Sequence, residues 1–291
     1  MQKQNFICKL VFAVMAVLIF ACSKINGPGC SSEFTFAVID VGEGLAQIGS
    51  INSKDVVWDI GDSSHYGAWA TGYEDAGSKP IAAIVISHTH QDHMGGLSKL
   101  SPSIAFSGLI ITHAYEDTAY IRRSAGPWQS AIHFRTVAQG DTLACLDGVT
   151  ITCIWPPSVI NESRPLADSL KNAYSLCFSI RYRNNSVLIT SDVDTFAERE
   201  LSSGYAYGLS HDIIVAPHHG SAGSIDAVFY GYVNPQTAII SCGSDNTYGH
   251  PSGKLLDLLF QMEVDVFVTS NVGNVVARSN GYYWVWNNGT K

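Results

Sequence analysis

The chain is short of charge, and of positive charge above all. Only 14% of its 291 residues are charged, with 17 Lys and Arg against 25 Asp and Glu, for a formal charge of −8. The broad basic footprint that phosphate-backbone binding leaves is missing, which weighs against long nucleic acid as a partner. There is no internal repeat and no low-complexity tract, and 46% apolar residues exclude disorder as the overall state. The apolar run Leu10 to Phe20 falls short of the roughly 20 residues that cross a bilayer. No C-x-x-C spacing occurs, and neither a glycine-flanked serine elbow nor a Cys/His pairing suggests a protein nucleophile. What remains is a chain able to bury a large core in one large domain or two small ones.

The first residues read as a targeting segment. Lys3 and Lys9 precede the Leu10 to Phe20 run, and Ile19-Phe20-Ala21-Cys22 follows with a small residue before the cysteine. This resembles a bacterial lipoprotein signal, which implies removal of residues 1–21 and acylation of Cys22. The competing readings are an ordinary secretory signal and an uncleaved anchor. On the lipoprotein reading the protein is exported and tethered to the outer face of a membrane, periplasmic or at the cell surface. Residues 22–33 form a Gly/Pro/Ser-rich linker, and 34–291 form the folded domain. Of the cysteines beyond Cys22, namely Cys30, Cys145, Cys153, Cys177 and Cys242, most are expected as free, buried thiols.

Chemistry concentrates at Ser87-His88-Thr89-His90-Gln91-Asp92-His93-Met94-Gly95-Gly96. It follows Ile81 to Ile86, an apolar run that reads as a buried strand. In an extended segment His88 and His90 project to one side, while Asp92 and His93 fall where the chain turns away. Imidazoles and a carboxylate clustered this tightly suit a divalent ion and would be costly to bury without one. The bland alternative is a histidine-rich surface loop.

His88-Thr89-His90-Gln91-Asp92-His93 resembles the H-x-H-x-D-H signature of the metallo-β-lactamase superfamily. The resemblance implies an α/β (α+β) chain folded as a four-layer αβ/βα sandwich in a single domain, and a metal-dependent hydrolase. Other stretches are similar to the nuclease-like domain of ComEC-type competence proteins. Asp40-Val41-Gly42-Glu43-Gly44-Leu45-Ala46 matches its D-V-G-Q-G-D-A pattern, with Leu45 in place of the second aspartate. Pro217-His218-His219-Gly220-Ser221 and Asn246-Thr247-Tyr248-Gly249-His250-Pro251 match its P-H-H-G-S and N-x-Y-G-H-P. The likeness runs over roughly residues 34–280, without the transmembrane channel segments of full competence proteins.

The resemblance assigns His88, His90, Asp92, His93, Asp192 and His219 as ligands of two divalent ions, zinc first with manganese admitted by the same N/O donors. Asp192 is the bridge, at a strand end where the superfamily has Gly-Asp; helix capping competes for it, although Asp194 can cap instead. Between His218 and His219 the sequence leaves the ligand open, with His219 slightly favoured. Asp92, His218 and His250 are the candidate catalytic groups, and His250 competes as a core or capping histidine before a helix. Asp59 and Asp40 stand behind the ligands, joined by Asn172 and Ser175, where many relatives of the superfamily carry a third histidine that this chain lacks. Asp59 is equally compatible with a strand-end turn.

Several structural expectations accompany these. The aromatic stretch with His65, Tyr66, Trp69 and Tyr73 reads as a pocket rim or a loop, Gly95-Gly96-Leu97 as a helix start, and His113 as a satisfied polar residue. Two short terminal strands are expected to close the second sheet. Functionally the leading reading is hydrolysis of a phosphodiester, small or in DNA, by a metal-activated water at a dinuclear site. The rivals are an envelope hydrolase of a lactone, β-lactam or thioester, and a metal-binding protein with little catalysis. No protein partner is inferred.

Overall fold

Successive side chains point to opposite faces of a strand, and the central strands are buried on both, so the fold follows from covering both faces. A computed structural model describes residues 33–146 and 148–287. The expected signal, Cys22, the linker up to residue 32, Cys30 and the side chain of Cys145 lie outside the described residues.

The first sheet begins as an antiparallel meander of β1 (Phe34–Val38), β2 (Ala46–Ile51) and β3 (Lys54–Ile60). Helix α1 (Tyr66–Asp75) leads to β4 (Ile81–Val85), which joins β3 in parallel. After α2 (Gln91–Met94) and a 3-10 turn (Gly95–Lys99) the parallel run continues through β5 (Leu109–His113), α3 (Thr118–Ser124) and β6 (His133–Val137). The second sheet opens with β7 (Thr142–Leu146) and β8 (Val149–Trp155), then β9 (Cys177–Tyr182) and β10 (Asn185–Ile189), all antiparallel. Parallel strands follow: α4 (Thr195–Tyr205), β11 (Ile213–Val215), α5 (Ala227–Val233), β12 (Thr237–Ile240), α6 (Gly253–Gln261) and β13 (Asp265–Val268). The chain then returns through α7 (Thr269–Val272) to the first sheet, where β14 (Val275–Ser279) pairs with β1 and β15 (Trp284–Trp286) with β14.

Three apolar layers result. Phe34, Phe36, Val38, Trp58, Val187, Ile189 and Val215 fill the space between the sheets. Their chain neighbours look outward: Ala37 and Ile48 pack with Trp69, Leu97 and Ile121 beneath the first set of helices, while Leu188 and Ile214 pack with Leu201, Phe229 and Leu255 beneath the second. Helices on the outer face of each of two stacked sheets make the four-layer αβ/βα sandwich in a single domain, as expected.

Three expectations change. Residues 66–75 form a helix, because Tyr66, Trp69 and Tyr73 stack down one side of it and the last two are buried. The helix after the histidine loop starts at Gln91, and Gly95–Lys99 is a 3-10 turn. The terminal strands extend the first sheet, since β1 would otherwise be left with an unpaired edge; β13 ends the second. Cys153, Cys177 and Cys242 are free and buried, as read from the sequence.

Candidate metal centre

The parallel strands deliver the site. The loops after β4, β10, β11 and β12 leave the carboxyl ends of their strands, where open α/β sheets bind ligands, and bring together residues far apart in the chain. Asp92 and His93 from the first loop meet Asp192 and His219 from the second sheet, with one donor atom from each lying within 4.8 Å of all the others. His93 Nε2 is 3.0 Å from Asp192 Oδ1, and His219 Nε2 is 3.6 Å from that oxygen and 3.4 Å from Asp92 Oδ2. Yet His93 Nε2, Asp192 Oδ1 and His219 Nε2 are buried without an aligned hydrogen-bond partner. Buried polar atoms left unpaired are expensive, and three of them aimed at a common point suit a divalent cation.

The surroundings fix the orientation of these donors. His93 Nδ1 donates to Asp59 Oδ2 at 2.7 Å, and Asp59 also accepts from Ser87 N at 2.8 Å and from Ser87 Oγ at 2.7 Å. His219 Nδ1 donates to the Ser241 carbonyl at 3.0 Å. Both rings therefore keep their hydrogen on Nδ1 and turn Nε2 to the centre. Burial opposes charge on His93, but Asp192, Asp59 and Asp92 outweigh it and hold the ring well above its usual pKa. Burial likewise opposes charge on Asp192, and His93 and His219 hold it well below the carboxylate range. The centre is thus acidic in ligands and demands positive charge. The His218 and His219 backbones have φ values of 50° and 55°, a left-handed conformation that non-glycine residues adopt at some cost, often at functional sites.

A second set of donors lies beside the first. His88 Nε2 is 3.0 Å from His90 Nδ1 and 3.9 Å from Asp192 Oδ2, so the two Asp192 oxygens face the two sets of donors. No imidazole stands at Asn172, as the sequence indicated. Instead Asn172 Nδ2 lies 3.2 Å from His218 Nε2 and Ser175 Oγ accepts from Asp192 N at 3.1 Å. The first contact orients His218, whose Nε2 is also 3.9 Å from Asp192 Oδ2, and the second fixes the backbone of Asp192. Asp194, not Asp192, caps α4, accepting from Phe196 N and Ala197 N. Asp40 departs from its expected place behind the ligands: its carboxylate accepts from Gly42 N within its own turn, at 3.4 Å. His113 is buried and stacked on Tyr115, and it stands outside the cluster of Asp92, His93, Asp192 and His219.

A cleft of about 490 Å³ opens over the centre, lined by Asp92, Asp192, His218, His219, His250 and Glu43 among others. Glu43 is the residue sequence reasoning missed. Its Oε1 lies 2.8 Å from His250 Nδ1 and its Oε2 accepts from Gly243 N at 3.1 Å. Burial pushes its pKa up, but the His250 contact and the Gly243 N–H outweigh burial and leave it lowered. The signal was in the glycine-rich turn itself, where Glu43 stands at the glutamine of the D-V-G-Q-G-D-A pattern. That turn touches the metal loop: Leu45 N donates to the Asp92 carbonyl at 3.1 Å, and a Cβ on Gly44 would stand only 2.7 Å from the same oxygen. The Leu45 side chain meanwhile packs between the sheets.

Fold and site together define a metallo-β-lactamase fold. Solved structures of that architecture bear this out: YhfI from Bacillus subtilis (TM-score 0.54, 12% identity, 84% of this chain and 100% of that one) and zinc-bound PqqB from Methylobacterium extorquens (0.52, 9%, 80% and 97%). A metallo hydrolase from Ignicoccus hospitalis also superposes (0.51, 15%, 83% and 98%). No protein-family model matches the chain. Its homologues by sequence are competence proteins and their relatives, including ComE operon protein 3 of Bacillus subtilis, 26% identical over 273 residues, and competence protein ComA of Neisseria gonorrhoeae, 26% over 227 residues. These matches cover 86% and 76% of this chain but only 34% and 29% of the two proteins, so the chain spans about a third of their length.

Proposed function

We propose that the protein is a metal-dependent hydrolase that cleaves phosphodiesters at a dinuclear zinc site. The observation that carries the reading is the convergence of Asp92, His93, Asp192 and His219 with three buried donor atoms left unpaired, directly beneath an open cleft. His88 and His90 with the second oxygen of Asp192 would hold the other ion. Bound there, the ions supply Lewis acidity and lower the pKa of a coordinated water. Zinc suits the mixed imidazole and carboxylate donors and is the metal in the PqqB neighbour; manganese is the alternative.

The chain's own residues do the rest. Asp192 aligns the two donor sets, and His250 at the cleft wall protonates the leaving oxygen. Water oxygen bonds to phosphorus, the bond to the leaving group breaks with its electron pair going to oxygen, and the proton from His250 completes the alcohol. The proton shed by the water restores His250 through solvent. Among the described residues no Lys or Arg lines the cleft, which favours a single diester over a long duplex, while the competence homologues favour DNA.

As an exported lipoprotein held by Cys22 the enzyme would meet extracytoplasmic substrates; labelling with radioactive palmitate, lost in Cys22→Ala, tests that tether. The decisive experiment for the function is a metal count on the purified protein with a panel of phosphodiester, DNA, lactone, β-lactam and thioester substrates. Two ions per chain with turnover of diesters, abolished in His90→Ala, supports the reading. Turnover confined to acyl substrates replaces it with the envelope-hydrolase alternative, and metal without turnover leaves a binding protein.

A further inference from the structure

His250 arrives at the cleft on a loop that the rest of the chain immobilises. Its backbone N donates to Asn246 Oδ1 at 2.9 Å, and Asn246 Nδ2 donates to the His250 carbonyl at 2.8 Å and to that of Gly243 at 2.7 Å. The imidazole lies nearly parallel to two rings, Tyr248 at 5.7 Å between centroids and His219 at 6.0 Å, with interplanar angles of 20° and 22°. Stacking sets the plane of the ring but not which nitrogen carries the hydrogen. That choice is made by Glu43, 207 residues earlier in the chain.

A carboxylate only accepts hydrogen bonds, and Glu43 receives two donors, the His250 ring at one oxygen and Gly243 N at the other. We propose that Glu43 is a positioning residue for His250, holding one hydrogen on Nδ1 so that the proton taken up from solvent sits on Nε2, from which it passes to the leaving oxygen in the cleft. The claim deepens the hydrolase reading and rests on it for the leaving-group role. A glutamine here, as in the D-V-G-Q-G-D-A pattern, has one acceptor oxygen and an NH2 group. With its NH2 toward Gly243 N–H it sets donor against donor; turned the other way it accepts from Gly243 N and donates to His250 Nδ1, which moves the ring hydrogen to Nε2. Only the carboxylate accepts from both groups and so holds the ring hydrogen on Nδ1, which sets this chain apart from that pattern.

Two measurements on the zinc-loaded protein test this. The first compares two diesters: bis(p-nitrophenyl) phosphate, whose phenolate leaves without a proton, and a dinucleoside monophosphate, whose alkoxide needs one. Glu43→Gln and Glu43→Ala should lower kcat on the dinucleotide by about tenfold to a hundredfold, a fraction of what a general acid contributes, with a much smaller loss on the nitrophenyl ester and unchanged zinc content. His250→Ala should show the same selectivity, and Glu43→Asp should recover part of the loss. Equal losses on both substrates, or lost zinc, would make Glu43 a structural residue and overturn the proposal. The second is nitrogen NMR of histidine-labelled protein, in which His250 should carry its hydrogen on Nδ1 in the wild type and lose that preference in Glu43→Ala. A wild-type His250 carrying its hydrogen on Nε2 overturns the proposal whatever the activity. If the wild type cleaves neither diester, the phosphodiesterase reading falls, and the NMR result still decides the positioning.

Discussion

Asp192 and Asp194 stand two residues apart and do different work, which makes them a clean pair of probes. Asp194 accepts from two backbone N–H groups at the start of α4, so Asp194→Ala should cost about 1 kcal/mol in urea unfolding and leave bound metal unchanged. Asp192→Ala should do the reverse, removing metal from the purified protein as read by elemental analysis. Asp59 touches no cleft, but it orients His93 and the Ser87 backbone; Asp59→Asn should weaken metal binding by about 10- to 100-fold in competition with a chelating dye. Most of these roles were legible because motif spacing reports ligand type. Glu43 was not, since a single side chain in a turn acquires meaning only through a partner 207 residues away.

At the level of elements, α4 carries a buried carboxyl that the site does not use. Burial, only partly offset by the Asp226 backbone, pushes the Glu198 pKa up to about 8 from an ordinary value of 4.5. The folded chain then keeps a proton that the unfolded chain releases, so this group lowers stability progressively as pH rises from about 4.5 to 8, and no further above that. Glu198→Gln should flatten that fall, and at pH 8 should be more stable than the wild type by an amount of the order of a few kcal/mol in urea titrations. Helix α1 teaches a different lesson. Tyr66, Trp69 and Tyr73 have helical spacing, but Gly67, Thr71 and Gly72 dilute its propensity, so the segment reads as a loop until its packing is seen. Trp69 is fully buried, and Trp69→Ala should cost about 3–5 kcal/mol.

For the whole molecule, metal binding and folding are linked, because the cluster draws its donors from both sheets. Zinc at a hundred times its dissociation constant should stabilise the protein by about 2.7 kcal/mol, seen as a higher midpoint in thermal unfolding, reversed by a chelator and absent in Asp192→Ala. By itself the sequence indicated most of the strands, the histidine loop and the side chains that gather in the candidate cluster, since alternation and motif spacing are local properties of the chain. Only the tertiary structure decided that His219 and not His218 completes the cluster, that Asp40 serves its own turn, that β14 and β15 belong to the first sheet, and that Glu43 faces His250. Each of those depends on which segments meet across the sandwich, and no local pattern encodes a distance between residues far apart in the chain.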